Sequence, residues 1–231
     1  KQAQLADIDA MAQAIVDTMP KQAAPAHTPD APVENEAFFA LSYGLYVLTA
    51  RDGQKDNGCV INTAIQLTDS PKRIAVTVNK ANYTHDMIRK TGVFNVSVLS
   101  TDASFGLIQH YGFQSGRDTD KFAGVQGMAR ATNGVYYLPY AACAFLSGKV
   151  VQEIDLGTHT MFIADVTEAR RLSAAPAMTY SFYFENVKPK PSALQKQTGW
   201  VCKICGYVYE GDELPADFIC PLCKHGADDF E

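Results

Sequence analysis

Four cysteines near the carboxyl end have both the type and the spacing to do chemistry. Cys202 and Cys205 form one Cys-x-x-Cys and Cys220 and Cys223 a second, with 14 residues between the pairs. Each pair can bend around one ion so that four thiolates converge tetrahedrally on a soft metal, zinc or iron. Disulfides or a redox dithiol are the alternatives, but two close-spaced knuckles, one followed by Gly206, favour metal. The span from Trp200 onward is too short to fold on buried apolar area alone, so the metal supplies much of its folding free energy.

Two further stretches are rich in small and polar residues, 57–68 (NGCVINTAIQLT) and 79–85 (NKANYTH). The second runs from a strand end into a helix start, where backbone N–H groups, Thr84 and Lys80 can hold a phosphate. The alternative there is an ordinary N-cap at Asn82 or Thr84 with Lys80 in water. His159, taken alone, reads as a barrel-wall histidine. Cys59 and Cys143 lack basic sequence neighbours and read as inert buried thiols, and Tyr136, Tyr137 and Tyr140 as core or interface. No Gly-x-Gly-x-x-Gly follows a strand and no P-loop motif occurs, which argues against a Rossmann domain.

The elements that position these residues follow from periodicity. Leu5, Ile8, Met11, Ile15 and Met19 recur at helical spacing, predicting an amphipathic helix over 3–19, and a Pro/Ala-rich linker follows to Glu34. From Phe38 the pattern is of strands, at 43–50, 59–67, 73–79, 93–99, 143–156, 158–166 and 179–184, with turns at Asp52-Gly53 and Asn57-Gly58. Helices are expected near 83–91 and 103–111, stopped by Gly92 and Gly112. Many short strands with few helices predict a mainly β fold, an antiparallel barrel whose closure removes exposed edges. The expected divisions are 1–36 as helix and linker, 37–184 as barrel, 185–199 as a second linker and 200–231 as the metal module.

Of 231 residues, 47% are hydrophobic, enough for one sizeable core besides the module. No apolar run reaches the roughly 18 residues of a membrane span, and the thiol usage fits a reducing, cytoplasmic setting. The net charge of −5 is concentrated in 200–231, where seven acids face Lys203 and Lys224. A nucleic-acid partner would need a basic face instead.

Cys202-Lys-Ile-Cys205-Gly206-Tyr207-Val-Tyr209, Pro215-x-Asp217-Phe218-x-Cys220-Pro221-x-Cys223 and Phe230 resemble rubredoxin, a one-iron electron carrier, with Trp200, Tyr207, Phe218 and Phe230 matching its aromatic core. The short spacing is similar to that of rubredoxin modules appended to larger proteins, as in rubrerythrins. GCVINTAIQLTDSP (58–71), VNKANYTHDMI (78–88), GVFNVSVLS (92–100), DKF (120–122) and GTHTMFIADV (157–166) resemble, in that order, the flavin reductase family with its FMN-binding split barrel. The resemblance implies that Cys59, Val60, Ile61, Asn62 and Thr63 line the ribityl chain and flavin ring, and that Asn79, Lys80, Tyr83 and Thr84 hold the phosphate. It places His159 where nicotinamide approaches; here the family's Gly-Asp-His reads Gly157-Thr158-His159. It also implies a homodimer.

Hydride chemistry moves two electrons and an iron tetrathiolate takes one, so a flavin between them gives the pairing a physical logic. The same pairing resembles high-molecular-weight rubredoxins and flavodiiron proteins extended by these two modules. That resemblance implies electron flow from NAD(P)H through FMN and one iron to a flavodiiron-type oxygen or nitric oxide reductase, in the same longer chain or apart. A passive FMN and iron relay loaded by another reductase, and a zinc-ribbon module on a flavin-free barrel, are the competing readings.

Overall fold

The computed structural model describes residues 33–189, 199–203, 208–209, 211, 213–220 and 226–231. The helix expected at 3–19, most of both linkers, Cys205, Tyr207 and Cys223 lie outside them. Asn35–Ala40 form a 3-10 helix within a unit ending at Leu41, and Ser42–Glu231 form a second unit.

The strands are β1 (Tyr46–Asp52), β2 (Lys55–Ile61), β3 (Ala64–Thr68), β4 (Arg73–Asn79), β5 (Val93–Leu99), β6 (Ala129–Arg130), β7 (Tyr136–Tyr137), β8 (Ala142–Asp155), β9 (His159–Arg171), β10 (Trp200–Val201) and β11 (Val208–Tyr209); the helices are α1 (Tyr83–Thr91) and α2 (Phe105–Gly112). Seven strands form one antiparallel sheet in the order β2-β1-β5-β8-β9-β4-β3. β2 and β3 are its two edges, yet only Asn62 and Thr63 connect them. Three Cα steps span at most about 11 Å, so the sheet must curl until its edges meet. No ladder joins β2 to β3 among the described residues. The result is a barrel split at one seam.

Two apolar clusters fill it. α1 packs fully buried Met87 and Ile88 with Leu48, Phe94, Val96 and Phe162, and α2 packs Ile108 and Tyr111 with Val47, Leu99 and Leu138. Each such side chain contributes about 1.5–3 kcal/mol through burial. Gly92 stops α1 in the left-handed region (φ 71°), its N–H bonding the Ile88 carbonyl at 2.8 Å. On β5 the polar residues are buried as well as the apolar ones. Asn95 Nδ2 donates to the Val135 carbonyl (2.8 Å) and Ser97 Oγ accepts from Leu138 N–H (3.0 Å), because the segment 131–138 covers that face.

Three expectations are corrected. The strand expected over 59–67 is two strands, because Asn62 and Thr63 are where the chain crosses from one edge to the other. Asn57-Gly58 is no turn: it lies inside β2, with Asn57 buried and its amide donating to Thr84 Oγ1 at 3.0 Å. Residues 179–184 are helical, Tyr180–Phe182 continuing as a π turn through Val187; Thr179 Oγ1 accepts from Phe182 N–H, and Tyr183 packs into the second cluster.

The tail pairs β10 with β11, and Val201 and Glu231 exchange backbone hydrogen bonds at 2.7 and 3.0 Å. Cys202, Cys220 and Phe230 form its core, flanked by Tyr209, Leu214 and Phe218. Phe230 and Phe218 match the expected aromatic core, but Trp200 is 36% exposed and Tyr209 packs there.

Candidate flavin cavity and metal centre

The seam of the barrel opens into a cavity of about 530 Å³, within the range of small-molecule sites. Val60 and Ile61 at the end of β2, the connecting Asn62 and Thr63, and Asn79 at the end of β4 form one wall. The first turn of α1 forms another, with Tyr83 and Thr84, and His159 enters from the start of β9. A strand crossover thus gathers side chains that are up to 99 positions apart in the sequence (60 to 159).

Two of the expected residues are not brought to the wall. The Cys59 side chain is buried in the first apolar cluster. Burial pushes its thiol pKa up, which hydrogen bonding to Thr84 and the Lys121 charge only partly oppose. Lys80 is turned to Asp155, its Nζ 2.7 Å from Oδ1, and that bond holds the Asp155 carboxyl below its ordinary range.

Neither Asn82 nor Thr84 acts as an ordinary cap. Asn82 occupies the N-cap position without a side-chain capping bond, and the Thr84 hydroxyl accepts from Asn57. Asn82, Tyr83 and Thr84 at the start of α1 line the cavity, where the positive end of the helix dipole favours an anion.

The sequence did not reveal the opposite wall. It is built by the last residue of α2, Gly112, the segment after it from Phe113 to Asp118, and by Lys121, Tyr180 and Tyr183. Gly116 is needed there because any Cβ would collide with the Asn57 side chain. The Arg117 Nη2 lies 2.6 Å from Asp86 Oδ2, and the guanidinium sits 5.0 Å over the Tyr83 ring, with Lys55 Nζ 4.7 Å from the same ring. Asp86 is held below its usual range first by His85 and then by Arg117. His85 is itself buried, its Nε2 2.9 Å from Thr160 Oγ1. Lys121 is 2% exposed and donates to the carbonyls of Gly58 (2.9 Å) and Tyr111 (2.8 Å); burial lowers its pKa. A Gly-Arg step just after a predicted helix, and the DKF segment at 120–122, were the available signals.

His159 Nδ1 lies 2.8 Å from Thr158 Oγ1, following Gly157 at φ 83°. Thr158 also accepts at its carbonyl from Lys80 N–H (3.0 Å), which ties the β8–β9 loop to the end of β4.

In the tail, Cys202 and Cys220 are completely buried against aromatic rings. Two buried soft thiols in an apolar shell fit a metal tetrathiolate; the other two cysteines expected to ligate, Cys205 and Cys223, lie outside the described residues.

Residues 38–189 match the flavin reductase like domain, and residues 200–231 the rubrerythrin, rubredoxin-like domain. The chain is 36% identical over 228 residues to a high molecular weight rubredoxin of Moorella thermoacetica, covering 86% of this chain and 99% of that protein. It is 39% identical over 148 residues to a ferric-chelate reductase (NAD(P)H) of Archaeoglobus fulgidus, covering 64% of this chain and 87% of that one. Among solved structures, an NADH:FAD oxidoreductase of Streptomyces globisporus superposes with a TM-score of 0.58 over 67% of this chain and 95% of its own, at 22% identity, a likeness of fold. No helix among the described residues is long and apolar enough to cross a membrane. The split antiparallel barrel, the cavity at its seam and the buried thiols all agree with these matches, and the chain belongs to the flavin reductase family of flavin-binding oxidoreductases, with a rubredoxin-like iron domain at its carboxyl end.

Proposed function

We propose that this chain is an electron-transfer flavoprotein that takes electrons from NAD(P)H and passes them, one at a time, to iron held by Cys202, Cys205, Cys220 and Cys223. The observation that carries the reading is the seam cavity, with an uncapped helix N-terminus and Arg117 on its walls, in the same chain as a buried thiol pair. Bound FMN would accept a hydride from NAD(P)H, a two-electron step, and release two single electrons and one proton as Fe(III) becomes Fe(II) twice over.

The side chains divide that work. Val60, Ile61, Asn62 and Thr63 bound the space for the ring and ribityl chain. Asn79, Tyr83 and Thr84 set the anionic end at the α1 dipole, where Arg117, paired with Asp86 but on the cavity wall, supplies the positive charge, while Lys80 lies off the wall beside Asp155. His159 stands at the rim on the nicotinamide side. Exposed Ile65 and Leu67 on edge strand β3, with Val151 and Leu156 on the β8–β9 hairpin, support a homodimer that buries them. The acids of the tail favour a partner with a basic docking face, and a cytoplasmic diiron-type reductase is the acceptor we assign.

The experiment is anaerobic rapid mixing of the FMN- and iron-loaded protein with NADH or NADPH. Bleaching of the flavin band followed by loss of the Fe(III) band supports the reading. A flavin that stays oxidised would make the chain a relay loaded by another reductase, and a colourless purified protein would remove both cofactors from it.

A further inference from the structure

The tail meets the barrel at two described points, and both adjoin a cavity wall. Phe113, the residue that closes α2, lines the cavity and also packs against the cluster of Cys202, Cys220 and Phe230. On the other side, Lys188 Nζ donates to the carbonyl of Lys203 at 2.9 Å, inside the first cysteine knuckle. Lys188 follows the π turn from Tyr183 to Val187, and Tyr183 lines the cavity as well. Lys188 is held in place in turn by its N–H bond to the Tyr183 carbonyl (2.7 Å) and by its ammonium 4.6 Å over the Phe184 ring.

We propose that Phe113 on the cavity wall and Lys188, one hydrogen bond behind the lining residue Tyr183, form the docking surface for the thiol-bearing tail, and that Phe113 is the positioning residue that couples the two cofactor sites. The inference rests on the flavin and iron reading above and goes beyond it by naming where the module sits during transfer. Two neighbouring observations point to the contact surface being built for this occupant. Phe113 is braced edge-on by Phe105, with ring centroids 5.8 Å apart. The Lys188 ammonium answers a carbonyl of the knuckle backbone, next to Cys202, where thiolate ligation of iron would add negative charge. Electron tunnelling decays steeply with distance and is better through packed atoms than through water. A single aromatic side chain touching both the cavity and the thiol core therefore removes a solvent gap that a freely swinging module would have to cross. The transfer itself is outer-sphere: one electron leaves the reduced flavin and one Fe(III) becomes Fe(II), with no bond to protein formed or broken.

The test uses the full chain loaded with FMN and iron, as Lys188→Ala, Phe113→Ala and Phe113→Leu. Small-angle scattering reports module position, and rapid mixing with NAD(P)H reports the flavin and iron bands separately. Lys188→Ala should enlarge the radius of gyration and slow iron reduction about tenfold, leaving only encounter at the tether's effective concentration, while flavin bleaching keeps its wild-type rate. Phe113→Ala should do the same to iron reduction and to scattering, and Phe113→Leu, which keeps apolar contact, should recover most of both. If Phe113→Ala loses the iron band, the Lys188→Ala and Phe113→Leu results decide. Unchanged scattering together with unchanged iron reduction in Lys188→Ala and Phe113→Ala would overturn the docking surface. Failure of NAD(P)H to reduce the wild-type iron would instead sink the functional reading, and the scattering comparison would still decide where the module docks.

Discussion

Thr84 has no exposed surface, and its hydroxyl accepts the Asn57 amide while it lines the cavity. Thr84→Val keeps the shape but leaves a buried amide N–H unpaired, at a cost of about 1–3 kcal/mol, which urea unfolding would register. A second expectation concerns charge. Arg117→Ala should weaken FMN binding about tenfold or more through loss of a charge-assisted partner on the cavity wall, whereas Lys80→Ala, whose side chain does not line the cavity, should change it far less. Equilibrium titration of both variants with FMN separates the two cations. Asp86 gives the pH dependence. Its folded pKa lies below the unfolded value of about 3.9, so its contribution is complete above that pH and is lost as pH falls through the folded value. Thermal melts from neutral pH down to about pH 3 should show a steeper fall for the wild type than for Asp86→Asn, and parallel curves would mean the carboxylate contributes nothing.

At the scale of elements, α1 is both a plug for the barrel and the source of the cavity's positive wall. Ile88→Ala on its buried face should cost about 2–5 kcal/mol and lower the melting temperature. FMN should bind the variant at temperatures where it remains folded, since Ile88 does not line the cavity. β8 crosses directly over Phe94, its register partner at Gly148, where a Cβ would lie 2.6 Å from the ring. Gly148→Ala therefore overpacks a fully buried aromatic, and a loss of about 1–3 kcal/mol is expected in the same denaturation assay. These costs belong to tertiary crossings, which is why nothing in the local sequence around Gly148 or Ile88 announces their size.

For the whole molecule, the two cofactor sites depend on folding differently. The barrel has two apolar clusters of its own, while the tail's described core is Cys202, Cys220 and Phe230 with a few flanking side chains. Cys220→Ser should abolish the iron absorption and melt the tail, yet leave the FMN affinity of the barrel within a few-fold of wild type, as visible spectra and FMN titration of the same sample would reveal. Simultaneous loss of flavin binding would show that the barrel needs its tail to fold.

The tail was legible from cysteine spacing because metal ligation is a local constraint: two thiols three positions apart can reach one ion whatever surrounds them. Strands β4 and β5 and helix α1 were legible for a similar reason, each carrying its periodicity and its stop within a few residues, with Gly92 in the left-handed region that ends α1. The polar stretches at 57–68 and 79–85 each bring several residues to the cavity wall. Tertiary structure alone decided which side chains face it. Strand pairing turned Cys59 into the core, an acid on the β8–β9 hairpin engaged Lys80, and the curl of the sheet brought Asn57 under Gly116 and carried Arg117, Lys121 and Tyr183 to the opposite wall. Residues 179–184 read as a strand by their aromatic content and fold as helix, because packing against α2 and β1 outweighs that propensity. Spacing fixes what a short segment can bind; which distant side chains share the space around it is set by how the sheet closes, and that depends on contacts no segment contains by itself.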